Sequence, residues 1–217
     1  MHRTGIIAET AAYVRNLLAD DSSGHDWFHI ERVRGTALTI GREENADLLV
    51  VELAALLHDV ADWKFAGGDH TAGPRQARIW LESQGAEATL TYRVCEIIAD
   101  LSFQGAGVAT PMHTLEGQAV QDADRLDALG AVGIARTFAY GGHKGQPLHD
   151  PAIAPQPHAS FEAYKNNRGT SINHFYEKLL LLQERMNTRT GKRLAAERHR
   201  FMEQFLDQFF AEWRGER

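Results

Sequence analysis

Cysteine is almost missing from this chain of 217 residues, with Cys95 the single instance. One thiol excludes an internal disulfide and any zinc site built from several cysteines, and it suits a reducing compartment. An excess of positive charge is missing as well. Lys and Arg number 23 against 29 Asp and Glu, a formal net charge of −6, so no surface for wrapping polymeric nucleic acid is expected. Small anions are not excluded, because a few local cations and a metal suffice for them. No apolar run approaches the roughly 20 residues of a membrane span. The N-terminal apolar stretch is broken by Glu9 and Arg15, which argues against a signal peptide. A cytoplasmic protein with no membrane partner is the expectation. Period-two alternation is also lacking, and with it the usual sign of a half-buried strand.

What the chain does have is 43% hydrophobic and 24% charged residues, the balance of an ordinary globular protein with a sizeable core. Its apolar positions recur at three and four. Ile6, Ile7, Ala11, Val14, Leu17 and Leu18 predict a helix over 6–19. A second is predicted from about 26 to 44, with Phe28, Val33, Ala37 and Ile40 on one face, and Asn45 or Asp47 is placed to cap a third. Pro74 suits the first turn of a helix through Leu81. Further helices are predicted over 87–101, 115–138, 171–187 and from Thr190 or Gly191 to Trp213, with a short one over 161–167. Residues 63–73 and 103–114 read as loops. The segment 141–160 holds Pro147, Pro151, Pro155 and Pro157, four of the six prolines, and reads as a long irregular loop. The fold expectation is all-α, one domain over 1–217.

Chemistry concentrates at four points. Leu53 to Leu57 is an apolar helical run that ends in His58-Asp59, with Asp62 one turn on. Such a run should be buried, yet its end is expensive to bury without a partner. A divalent cation is the simplest compensating group, since imidazole nitrogen and carboxylate oxygen both ligate one. His25 and His29 lie four apart, and Arg32 follows His29 by three, in H-D-W-F-H-I-E-R-V. Asp124 and Asp127 flank Arg125 in D-A-D-R-L-D. Lys165, Asn166, Asn167, Arg168, His174 and Lys178 form a cation and amide set after the proline-rich loop. Taken singly, each point reads as a cap or a solvated ion pair. In this order they are far more specific.

The order H-x-x-R-V, then L-L-H-D, then D-A-D-R-L-D resembles the HD-domain metal-dependent phosphohydrolase superfamily, whose ligands come as H…HD…D. D-A-D-R-L-D-A-L-G-A, H-D-V-A-D-W-K-F and G-T-S-I-N-H-F-Y-E-K-L are similar to its small single-domain bacterial subgroup, some members of which cleave nucleoside triphosphates to monophosphates. The resemblance implies a helical bundle with the HD core at about 25–130, and C-terminal helices at about 160–214 completing the site. It implies His29, His58, Asp59 and Asp124 as ligands of one divalent ion, Mn²⁺ or Mg²⁺ first, with Ni²⁺, Co²⁺, Zn²⁺ or Fe²⁺ also compatible. Asp124 is preferred to Asp122 for its A-D-R-L context, and His29 to His25 for H-x-x-R-V. Asp62 falls where related hydrolases place a catalytic acid.

His25, Arg32, Lys64, Arg125, Lys144, Lys165, Arg168 and Lys178 are the candidates for substrate binding, Arg being suited to bidentate phosphate contact. Loop histidines, including His70, His113, His143, His149 and His158, read as surface groups. The expected activity is hydrolysis of a nucleotide, (d)NTP to (d)NMP and pyrophosphate, by a metal-activated water. Nucleoside monophosphate cleavage is the near alternative. Alarmone hydrolysis is disfavoured, because Trp63 rather than a second acid follows Asp62. A di-iron oxygenase would need more histidine ligands, and a non-catalytic nucleotide sensor would have no need of a site that activates water. Phe210 and Trp213, near the end of the last helix, are candidates to pack on a second subunit of a homodimer.

Overall fold

Helix α2 (Trp27–Glu43) and helix α3 (Leu48–Leu57) form an antiparallel hairpin around which the N-terminal half of the chain packs. Asp26 starts α2, its side chain accepting the His29 backbone N–H at 2.9 Å. Ile30, Val33, Ala37 and Ile40 then recur on the buried face. Phe28 does not belong to that face. It is 63% exposed, because five residues to Val33 is about 140° of helix rotation, and Ile30 takes the place assigned to it. The connecting turn puts Asn45 in the left-handed region at φ 61°. Asp47, not Asn45, caps α3 by accepting the Leu49 N–H at 3.2 Å. The helix that follows is apolar but for Glu52. Val50, Val51 and Leu53 to Leu57 are all fully buried, as expected for a helix at the centre of a bundle.

The computed structural model describes residues 3–19, 26–61, 69, 71–101, 110–156 and 169–216. These fall into two compact units. One holds the described residues up to Leu101 and from Thr110 to Asp124, the other those from Arg125 onward. No strand occurs among the described residues, and no helix among them is long and apolar enough to cross a membrane. The fold is all-α.

In the first unit α3 packs on α1 (Arg3–Leu17), α2 and α5 (Ala88–Asp100), and α4 (Ala72–Ser83) packs on α5. The buried stripe of α1 is Ile6, Thr10 and Val14, continued by Leu18 just past its end, while Leu17 is exposed. Thr10 is buried in that stripe with its hydroxyl accepting the Trp80 indole N–H at 2.9 Å. Trp80 also stacks on Tyr13, ring centroids 4.0 Å apart. Helix α6 (Leu115–Asp127) enters with Glu116 in its first turn.

The second unit departs from the predicted elements twice. The helix expected over 115–138 is two, α6 and α7 (Gly130–His143), separated where Leu129 is extended and Gly130 takes φ 72°. The side-chain stem of Arg198 lies 3.1 Å from where a Cβ on Gly130 would stand. The helix expected over 171–187 is also interrupted. Helix α8 (Ser171–Glu177) gives way at Lys178 to a 3₁₀ segment, Leu179–Arg185. In a 3₁₀ helix residues three apart eclipse, which puts Leu179 and Leu182 together on the buried side. The last helix, α9 (Arg189–Trp213), ends at Trp213 as predicted but starts ahead of the expected Thr190 or Gly191, because Thr188 caps it, its Oγ1 accepting the Gly191 N–H at 2.8 Å. Phe205 packs against Phe138 and Phe175. Phe210 and Trp213 meet the edge of His149, with centroids 5.3 and 5.0 Å away. Part of the surface assigned to a second subunit is therefore covered from within the chain. The short helix expected over 161–167 lies outside the described residues.

Candidate metal centre

Two ends of the α2–α3 hairpin bring the first three candidate ligands together. His29 sits in the first turn of α2 and His58 at the C-terminal cap of α3, so an antiparallel hairpin places them side by side. Their Nε2 atoms are 3.2 Å apart, with the rings 5.3 Å between centroids. Asp59 follows immediately, its Oδ2 at 3.4 Å from His29 Nε2 and 3.5 Å from His58 Nε2. Asp124, from α6, adds a second carboxylate: its Oδ1 is 3.5 Å from His29 Nε2 and 3.9 Å from His58 Nε2. The two imidazoles are buried, Asp59 nearly so, and the Asp124 side chain is 37% exposed. The cluster is therefore wettest at Asp124.

The spacing suits one cation. Ligand atoms at ~2.0–2.2 Å from a metal stand roughly 3.0 Å apart on adjacent octahedral positions and roughly 3.4 Å apart in a tetrahedron. The observed separations run from 3.2 to 3.9 Å. The tautomer suits it too. His58 Nδ1 donates to the Ala55 carbonyl at 2.8 Å, and a carbonyl can only accept. Nδ1 therefore carries the proton, and in the neutral ring Nε2 presents a lone pair to the cluster, the arrangement expected of a ligating histidine. His29, His58 and Asp59 offer ligand atoms that all lie within 4.8 Å of one another and could hold a divalent ion, with Asp124 approaching the same imidazoles as a further candidate and the ion's identity left open by ligand chemistry alone.

Around the cluster, the Arg34 guanidinium donates to Glu52 Oε1 through Nε (2.8 Å) and Nη2, linking α2 to α3 at mid-length. Neither this pair nor the Ala55 carbonyl stands out in the sequence. A histidine three residues beyond a helical carbonyl is the only local sign of the latter. Asp122, two residues before Asp124, is fully buried.

The other candidates are scattered. Arg32 is half-buried one turn after His29 on α2. Arg125 is buried in the second unit and its Nη1 donates to the Arg185 carbonyl. Lys144, in the same unit, is exposed, with its ammonium 5.6 Å from the centroid of the Tyr140 ring. Lys178 is half-buried at the break after α8. His25, Asp62, Lys64, Lys165 and Arg168 lie outside the described residues.

Comparison with known proteins points the same way. The HD domain family model matches residues 27–129. The YpgQ protein of Bacillus subtilis is 42% identical over 199 residues, covering 90% of this chain and 88% of its own. Its crystal structure in complex with ADP superposes with a TM-score of 0.78 at 36% identity, over 98% of this chain and 97% of that one. An HD-superfamily hydrolase from Bacillus thuringiensis superposes with a TM-score of 0.78 at 44% identity, over 98% and 99%. A protein from Lactobacillus plantarum does so at 0.85 and 42%, over 99% of both chains. The chain belongs to the HD-domain family and has the fold of an HD-superfamily hydrolase.

Proposed function

We propose that this protein is a divalent-metal-dependent phosphohydrolase that cleaves a nucleoside triphosphate, (d)NTP, to the monophosphate and pyrophosphate. The observation that carries the reading is the convergence of His29, His58, Asp59 and Asp124, with the His58 tautomer set by the Ala55 carbonyl. The ADP complex of the related YpgQ supports a nucleotide as ligand. Mn²⁺ or Mg²⁺ is the proposed ion. Held by these four groups, such an ion supplies the Lewis acid, and the acidified water, that hydrolysis at phosphorus requires near neutral pH.

The chain's own residues do the rest. Asp59 and Asp124 bring negative charge to the ion, and the buried imidazoles hold the inner side of the cluster dry. The half-exposed Asp124 leaves that side open to a phosphate. Asp62, three residues after Asp59 in the sequence, is the proposed acceptor for the proton of the attacking water. Arg32 and the lysine and arginine candidates of the later segments offset triphosphate charge. All four proposed ligands belong to the first unit.

The test is a matrix of nucleotides against metals with product analysis. Pyrophosphate and a monophosphate are expected with Mn²⁺ or Mg²⁺, and Asp59→Ala should abolish turnover. Orthophosphate as sole phosphate product would move the reading to phosphomonoester cleavage. Tight nucleotide binding with no product would replace it by a sensor.

A further inference from the structure

Three of the four proposed ligands come from one hairpin, but Asp124 arrives on α6. The axial register of α6 against α3 therefore decides whether the fourth ligand reaches the ion. The ends of these two helices that lie away from the cluster carry a tie. Asp47, the cap of α3, donates its own backbone N–H to Glu116 Oε1 at 3.0 Å, and Glu116 stands in the first turn of α6. Arg93 of α5 closes the ring, its Nη1 at 2.9 Å from Asp47 Oδ2 and its Nη2 at 3.3 Å from Glu116 Oε1.

Helices α3 and α6 thus run in the same direction. They are joined at their N-terminal ends by Asp47 and Glu116 and meet again where His58 faces Asp124. At ~1.5 Å per residue, the Asp47-to-His58 rise is about 16 Å and the Glu116-to-Asp124 rise about 12 Å. A slip of one residue moves α6 by ~1.5 Å and turns it by ~100°, enough to take the Asp124 carboxylate out of bonding distance of an ion on His29 and His58. The Glu116 side chain is 15% exposed and Arg93 is 43% exposed. The backbone N–H to Glu116 is therefore the stronger part of the tie, since exposed ion pairs contribute little.

We propose that Glu116 is a positioning residue for the metal centre: by accepting the Asp47 backbone N–H and the Arg93 guanidinium, it sets the register of α6 and hence the reach of Asp124. This rests on the reading of His29, His58, Asp59 and Asp124 as the ligand set.

The experiment is Mn²⁺ binding to the full chain, followed by loss of the free-ion EPR signal well below the melting temperature. Glu116→Ala should bind Mn²⁺ about threefold to tenfold more weakly, less than the ~10–100-fold typical of groups bonded directly to a ligand. Glu116→Gln keeps an acceptor for the Asp47 N–H and should restore most of the affinity. Trp80→Phe removes the buried bond to Thr10 between α4 and α1; it should lower stability and leave Mn²⁺ affinity unchanged. The inference is overturned if Glu116→Ala binds as wild type does, or if Trp80→Phe weakens binding as much. Should Glu116→Ala fail to fold, Glu116→Leu, which keeps the bulk of the side chain but offers the Asp47 N–H no acceptor, decides instead: weaker Mn²⁺ binding supports the tie and wild-type binding overturns it. A wild type that binds no Mn²⁺ would remove the metal-centre reading as well, an outcome distinct from equal binding by the variants.

Discussion

Replacing Asp59 by asparagine keeps the size of the side chain and removes one of the two carboxylates that face the imidazoles. Asp59 Oδ2 lies 3.4 Å from His29 Nε2 and 3.5 Å from His58 Nε2, with the side chain 14% exposed. The neutral amide is a poor ligand for a divalent ion, but its N–H can donate to an imidazole lone pair in the ion's absence. Chelator-treated Asp59→Asn should therefore melt no lower than chelator-treated wild type. The difference should emerge with metal. An ion that binds only the folded chain stabilises it by about 2.7 kcal/mol at ~100 times its dissociation constant. For a chain of this size each kcal/mol moves the melting temperature by roughly 2–4 °C, so wild type should gain about 5–10 °C on saturation with Mn²⁺. Asp59→Asn should gain nothing measurable at the same Mn²⁺ concentration. Calorimetry or a dye-based melt, with and without Mn²⁺, reads both numbers. A variant that keeps the wild-type rise would show that Asp59 is no ligand, and the metal-centre reading would fall with it.

Gly130→Ala should destabilise by about 1–2 kcal/mol, the cost of a left-handed backbone at a residue with a Cβ, because Gly130 has φ 72° and the Arg198 stem stands 3.1 Å from the new atom. A urea melt with an unchanged slope would register it, and wild-type stability would refute the account. Phe175→Ala removes a fully buried ring packed against Phe138 and Phe205 and should cost about 3–5 kcal/mol; a loss below ~1 kcal/mol would mean the cluster closes over the gap. Burial pushes the Cys95 thiol up from its ordinary value, so the native protein should resist a thiol reagent at mildly alkaline pH and react with one equivalent when denatured. The sign for stability follows. Above the unfolded thiol's pKa of about 8.5, the unfolded chain releases a proton that the folded chain retains, so Cys95 lowers stability as pH rises there. Cys95→Ala should flatten that alkaline decline, and an unchanged slope would refute the assignment.

Helix caps and stripes were legible because they are local. Asp47, one of two expected caps for α3, caps through a side chain that reaches two residues ahead, and the apolar run of α3 reads as a buried helix. The errors were local rules outvoted by distant partners. Gly130 sits in A-L-G-A, which reads as continuous helix, and its turn is matched by the packing of Arg198. The run 171–187 likewise reads as continuous helix, and it gives way at Lys178 to a 3₁₀ segment whose Leu179 and Leu182 are buried.

For the site, the residue types and their order established which groups were candidates, since imidazole and carboxylate at the ends of apolar runs need a compensating partner wherever they are folded. Tertiary structure alone decided that His29, His58, Asp59 and Asp124 lie within 3.9 Å of one another's imidazole nitrogens, that Arg125 turns to the Arg185 carbonyl, and that Glu116 joins α6 to the head of α3. Ligand chemistry belongs to a side chain and is written in the sequence. Convergence depends on helix register over tens of residues, and register is set by contacts that no local pattern records.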